Sequence, residues 1–269
     1  MKKSLIVWPV VSLLLYIVVS FGFSIPAKKK PHPVDVKKGF ALVELFTSEG
    51  CSSCPPADEA VAALAKDYPN NVYVLGFHVD YWNYLGWKDE FSSAGYSKRQ
   101  QEYAAAFNLN SIYTPQAIVN GKIQFTGSEK TRLYNAVDKE LNEGEAPAIE
   151  LSAKRTGANE VAVAYATNAN DKTIVCIALV QLHASSVVKR GENKGMLLQH
   201  INVVRDFKTM ANSSGSAGMH IPAGLAAKDC KIIAFAQRRN DMQIVGAAGA
   251  AIEQVIYDAL KPAIERKKQ

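Results

Sequence analysis

Ala41-Leu-Val-Glu-Leu-Phe-Thr-Ser-Glu-Gly-Cys51-Ser-Ser-Cys54-Pro-Pro-Ala-Asp58 is the stretch on which the reading of the fold turns. Ala41 to Phe46 reads as a short apolar strand. Pro55-Pro56 open a helix running to about Tyr68, with Ala60, Val61, Leu64, Ala65 and Tyr68 at helical spacing. Between them sits a Cys-Ser-Ser-Cys pair. Zinc sites share that spacing, but a closed zinc site needs a second ligand pair, and Cys176 and Cys230 stand 54 residues apart. The position at a strand-to-helix turn favours redox chemistry. There the unpaired N–H groups and the positive end of the helix dipole lower a thiol's pKa. Prolines suit such a helix start because no intrahelical donor is needed. Cys51 is therefore expected to be the exposed nucleophile and Cys54 the shielded, resolving thiol.

Working outward, Val72 to Val79 reads as a second buried strand and Ser97 to Phe107 as a helix. Gln116 to Val119 and Lys122 to Thr126 flank Asn120-Gly121, a hairpin-turn signal, and Glu129 to Leu141 reads as a helix. The order β-α-β-α-β-β-α is that of the thioredoxin fold. After a break at 142–147 come short alternating segments at 148–154, 160–167, 173–182, 202–207 and 231–237, which suggest an antiparallel β-sandwich. The expected architecture is an α/β thioredoxin-like domain (40–144) followed by an antiparallel β-sandwich domain (147–248), α+β overall, with a C-terminal helix over 249–269.

The chain carries 31 Lys and Arg against 25 Asp and Glu, for a net charge of +6. Lys2, Lys3, Lys28, Lys29, Lys30, Lys37 and Lys38 precede Gly39 with Asp35 as the only acid, so the remainder is balanced. No basic face is left for phosphates, and nucleic acid is not an expected partner. Met1-Lys2-Lys3 followed by the apolar run Leu5–Phe23 has the pattern of a secretory signal over 1–23, and is also long enough to serve as a membrane anchor or tether. Residues 24–39, rich in Pro and Lys, read as an extended linker. The protein is thus expected to be exported, either periplasmic or anchored facing the periplasm.

Residues 41–58, together with Phe77-His-Val-Asp-Tyr-Trp82, Leu85-Gly-Trp-Lys-Asp89, Tyr113-Thr-Pro-Gln116, Arg190-Gly-Glu-Asn193 and the segment from His200 to Arg205, resemble a bacterial secreted thioredoxin-like family, domain of unknown function 1223. The resemblance spans roughly residues 40–246. It implies a thioredoxin-like domain joined to a β-sandwich and names no reaction. Proteins of the thioredoxin fold place a cis-proline loop against the C-x-x-C, which would make Thr114–Pro115 cis and Pro115 the organiser of a substrate loop. They also hold a buried acid in the first strand as a proton relay, a role Glu44 could take although its spacing differs by one.

These readings converge on a thiol–disulfide oxidoreductase acting on protein or small-thiol substrates through Cys51 and Cys54. Pro115 and Glu44 would assist, Tyr113, Thr114, Trp82 and Trp87 would line a substrate groove, and no cofactor is required. One alternative is a copper-handling protein with Cys51, Cys54 and His78 as ligands, since two thiolates and an imidazole suit a soft metal. Another is a partner-binding module with a structural disulfide. Arg190, Glu192, Asn193, His200, Asn202 and Arg205 read as a polar network around a turn, and Cys176 and Cys230 are either bridged or buried free thiols.

Overall fold

Strand β1 (Ala41–Thr47) is buried along its whole length because it runs through the middle of a sheet. It pairs parallel with β2 (Val72–His78) and antiparallel with β3 (Gln116–Val119). A computed structural model describes residues 39–253 except 145 and 171, so the expected signal or anchor, nearly all of the expected linker and most of the expected C-terminal helix lie outside the described residues. β3 turns through Asn120-Gly121 into β4 (Ile123–Thr126). Both turn residues have positive φ, as a tight hairpin requires. A Cβ on Gly121 would lie 2.1 Å from the Met242 carbonyl oxygen, so the position also needs glycine for close approach.

Helices α1 (Pro55–Asp67) and α3 (Lys130–Leu141) cover one face of this sheet, packing Val61, Leu64, Leu133 and Val137 on Val43, Leu45 and Phe125. On the other face α2 (Ala94–Ala106), capped by the Ser93 hydroxyl accepting from Gly95 N–H, lays Tyr96 and Tyr103 on Phe46 and Phe77.

The expected order of elements is present over 41–141, but the division that follows is not. The second part supplies β5 (Ile149–Arg155), β6 (Glu160–Thr167), β7 (Thr173–Val187), β8 (Leu197–Met210), β9 (Ser214–His220), β10 (Cys230–Arg238) and β11 (Ile244–Glu253). These strands continue the first sheet. One mixed sheet of eleven strands runs β4-β3-β1-β2-β8-β7-β10-β11-β5-β6-β9. The expectation of a thioredoxin-like α/β domain plus a separate antiparallel β-sandwich is therefore overturned; the molecule is a mostly-sheet fold.

Two contacts explain the correction. β8 joins β2 in parallel at Gly76–Val203, where a Cβ on Gly76 would stand 3.4 Å from the Ile201 carbonyl oxygen. Phe46, Phe77 and Tyr103 also share one core with Cys176, Val204, Phe235 and Ile244. The β5–β6–β9 end packs Val161, Val163 and Met219 against Ile177, Leu179 and Ile232 in a core of its own. Residues 249–253, expected as helix, are strand. Cys176 and Cys230 are free and buried. Among the described residues no helix is long and apolar enough to cross a membrane.

Candidate functional site

Cys51 and Cys54 form a disulfide with Cα atoms 5.4 Å apart. Cys54 is the N-cap of α1, and its carbonyl accepts from Ala57 and Asp58 N–H at 2.8 and 3.2 Å. The loop ahead of it folds back on itself, Cys51 N–H donating to the Ser48 carbonyl at 3.2 Å. Neither cysteine has exposed surface. The expectation of an exposed Cys51 is thus corrected, and the reason lies far along the chain.

The tip of the β7–β8 hairpin, residues 188–196, lies over the cysteine loop. Asn193 Nδ2 donates to the carbonyls of both Glu49 and Cys51 at 2.9 Å, and Ser52 N–H donates to Glu192 Oε2 at 2.9 Å. That bond holds the Glu192 carboxyl below its usual range.

Behind the disulfide lies a buried ionisable cluster. Glu49, with no exposed surface, accepts from Trp87 Nε1 at 2.7 Å and from the Ser186 hydroxyl, and its own N–H donates to Asp89 Oδ2 at 3.0 Å. His78 Nδ1 meets Asp89 Oδ2 at 2.7 Å. Burial opposes ionisation of Asp89, but the contact with His78 and the N–H groups of Glu49 and Phe91 outweigh it and leave its carboxyl below the usual value. His200, brought in by β8, stands edge-on to His78 with ring centres 4.7 Å apart. Its Nε2 is 3.5 Å from Glu49 Oε1 and its Nδ1 3.6 Å from Asp58 Oδ1. These are charge contacts without hydrogen-bond geometry, and both ring nitrogens lack a hydrogen-bond partner. Burial would depress the His200 pKa, yet Asp58 and Glu49 overcome that and push it up to about 10. Asp58 also accepts from the Thr47 hydroxyl at 3.2 Å.

The residues expected at the site divide. Thr114–Pro115 is cis, and Thr114 Oγ1 accepts from Trp82 Nε1 at 2.7 Å. Trp82 Cβ lies 3.0 Å from where a Cβ on Gly50 would sit, so the proline loop is tied to the cysteine loop through this indole. Pro115 and Ala57 converge on Gly127. Both indoles are engaged internally, Trp87 on Glu49, and the Tyr113 hydroxyl donates to Gln124 Oε1 at 2.5 Å. Glu44 is not brought to the cysteines. It lies on the α2 face of β1, paired with Arg99 at 2.5 and 2.9 Å and hydrogen-bonded by the Tyr103 hydroxyl. The physical reason is strand alternation: Val43, Leu45 and Thr47 point to the α1 side, and Glu44 points away. Cys51, Cys54 and His78 do not form a ligand set, and no group of three or more His, Cys, Asp or Glu among the described residues is arranged to hold a metal.

Sequence reasoning did not single out Glu49, Asp58 or Asp89, and read Asn193 and His200 as structural. The signal available was their density next to the C-x-x-C, Glu49 and Asp58 on either side of it in the chain.

A family model described as a protein of unknown function (DUF1223) matches residues 42–237. The chain belongs to that family. This member resembles a protein of Agrobacterium tumefaciens whose crystal structure is known, with 31% identity over 80% of this chain and 93% of the other, at a TM-score of 0.60. A domain of the outer membrane lipoprotein Omp28 from Porphyromonas gingivalis aligns over 40% of this chain and 89% of its own at 13% identity and a TM-score of 0.26, too low to carry an argument. A search of curated proteins finds no match.

Proposed function

We propose that this protein is an exported thiol–disulfide oxidoreductase whose redox pair is Cys51–Cys54. The observation that carries the reading is the disulfide at the start of α1, with the Thr114–Pro115 loop tied to the same turn and ionisable groups buried behind it. A substrate thiolate attacks Cys51 Sγ, the Cys51–Cys54 bond breaks, and Cys54 leaves as a thiolate. A second substrate thiol then displaces Cys51, so the substrate dithiol is oxidised and the pair reduced. Export rests on the apolar run after Met1-Lys2-Lys3 and agrees with a compartment in which disulfides persist.

Burial of both sulfurs favours a second reading, a partner-binding module with a structural disulfide. Thiol counting on the folded protein with dithiothreitol separates them. The redox reading expects two new thiols without denaturation, and a Cys54→Ser variant that accumulates mixed disulfides through Cys51. New thiols appearing only in denaturant would overturn it.

A further inference from the structure

The hairpin tip covers the cysteine loop, and both sulfurs are buried, but solvent reaches the side chains of α1 and β8 that follow them. A depression of about 550 Å³ opens between α1 and the β7–β8 arm, lined by Asp58, Glu59, Ala62, His183, Ser185 and His200 among others. Asp58 stands one helical turn after Cys54, and residues four apart in a helix share a face. His200 sits next, 3.6 Å from Asp58, nearly fully buried and with neither ring nitrogen hydrogen-bonded. A buried imidazole whose nitrogens stand 3.5 and 3.6 Å from two carboxylates and are committed to no other hydrogen bond exchanges protons with them once the ring turns into hydrogen-bond geometry.

We infer that Asp58 and His200 form the proton path between Cys54 and solvent, entering through the depression behind α1. The inference rests on the redox reading above. When a substrate thiolate opens the disulfide, the electron pair of the broken bond goes to Cys54, and its thiolate takes a proton delivered along Asp58 from the His200 imidazolium. His200 regains a proton from the depression. In the reverse direction Asp58 accepts the Cys54 proton as that thiolate attacks the mixed disulfide. The charged and titratable groups facing His200 are Glu49 from the cysteine loop, Asp58 from α1 and His78 from β2, the last held by Asp89. Glu59 and His183 stand on the rim of the depression.

The test uses the full-length protein with Cys51→Ser, following the Cys54 thiolate by its ultraviolet absorbance against pH. Cys176 and Cys230 do not interfere, because burial pushes both thiols up to about 11. Asp58→Asn removes a negative neighbour and is expected to lower the Cys54 midpoint by about one pH unit; His200→Gln removes a positive one and raises it by a similar amount. A merely loosened fold moves both towards an ordinary thiol, and circular dichroism of each variant checks that it is folded. In the intact Cys51–Cys54 pair, Asp58→Asn is expected to slow reduction by dithiothreitol at pH 7 by tenfold or more, on the order of a lost general acid. A purely electrostatic Asp58 predicts the opposite, since a more acidic Cys54 leaves faster. Shifts of the same sign, no shift, or faster reduction by Asp58→Asn overturns the proton path. Failure of the unsubstituted protein to exchange at all is a different outcome, which removes the redox reading itself.

Discussion

Each side chain of the buried cluster is held by partners drawn from separate parts of the chain, so a single substitution strands its neighbours. His200 is the clearest case. Its pKa, raised to about 10 from an ordinary 6.5 by Asp58 and Glu49 against the opposing effect of burial, makes the protonated ring a stabilising group. A raised folded-state pKa contributes stability that is complete below the unfolded value and is lost as pH climbs through the folded one. The stability difference between the native protein and His200→Gln is therefore expected to be largest, at a few kcal/mol, below about pH 6 and to narrow towards pH 10. Urea titrations at three pH values check this; a difference that widens with pH contradicts the ion-pair account. On the opposite face, Arg99 is buried with Glu44 and surrounded by the rings of Phe77, Tyr103, Phe207 and Phe235 at 5.0 to 5.6 Å. Arg99→Met leaves the Glu44 carboxylate uncompensated and is expected to cost about 3–5 kcal/mol, while Arg99→Met with Glu44→Leu recovers most of it. Denaturant midpoints of both variants decide.

At the scale of elements, the β7–β8 arm joins the sheet to the site. Its strand β8 pairs with β2 at Gly76 and delivers His200 to the cluster, and the arm carries the tip that covers Cys51. Asn193 supplies two of the bonds that hold this tip down. Asn193→Ala is expected to speed reduction of the disulfide by about tenfold, from two lost hydrogen bonds, with little change in global stability. Reduction followed by thiol release measures it, and an unchanged rate means the tip does not limit access. The sequence revealed the N-terminal elements well, because proline at a helix start, Asn-Gly at a hairpin and runs such as Val72–Val79 are local signals. It concealed β9 and β11, whose sequences Ser-Gly-Ser-Ala-Gly-Met-His and Ile-Val-Gly-Ala-Ala-Gly-Ala-Ala-Ile-Glu are poor in the β-branched and aromatic residues that mark strands. Tertiary pairing, not propensity, makes them strands. The burial of Cys51 was hidden for a related reason, since nothing local to residue 51 announces a cover arriving from residue 193.

For the whole molecule, the core shared by Phe46, Phe77, Tyr103 and Phe235 makes the two sequence halves one cooperative body. Phe235→Ala is expected to destabilise the protein by about 3–5 kcal/mol, and to do so equally for a probe at Trp82 and for one reporting β-sheet content. Two separated transitions would show that the halves unfold independently. The Cys51–Cys54 pair and the cis-proline loop were legible from the sequence because they are short motifs. The continuous sheet was not, since no periodicity states which apolar face covers which.

The separation of 140 positions from Ser52 to Glu192 also sets an order in time. At synthesis rates of about 5–20 residues per second, the cysteines emerge on the order of ten seconds before the segment that will cover them. For that interval the pair is open to any oxidant or thiol that the nascent chain meets. Closure of the hairpin then lays Glu192 and Asn193 over the loop, and later exchange at the sulfurs runs only as fast as that cover opens.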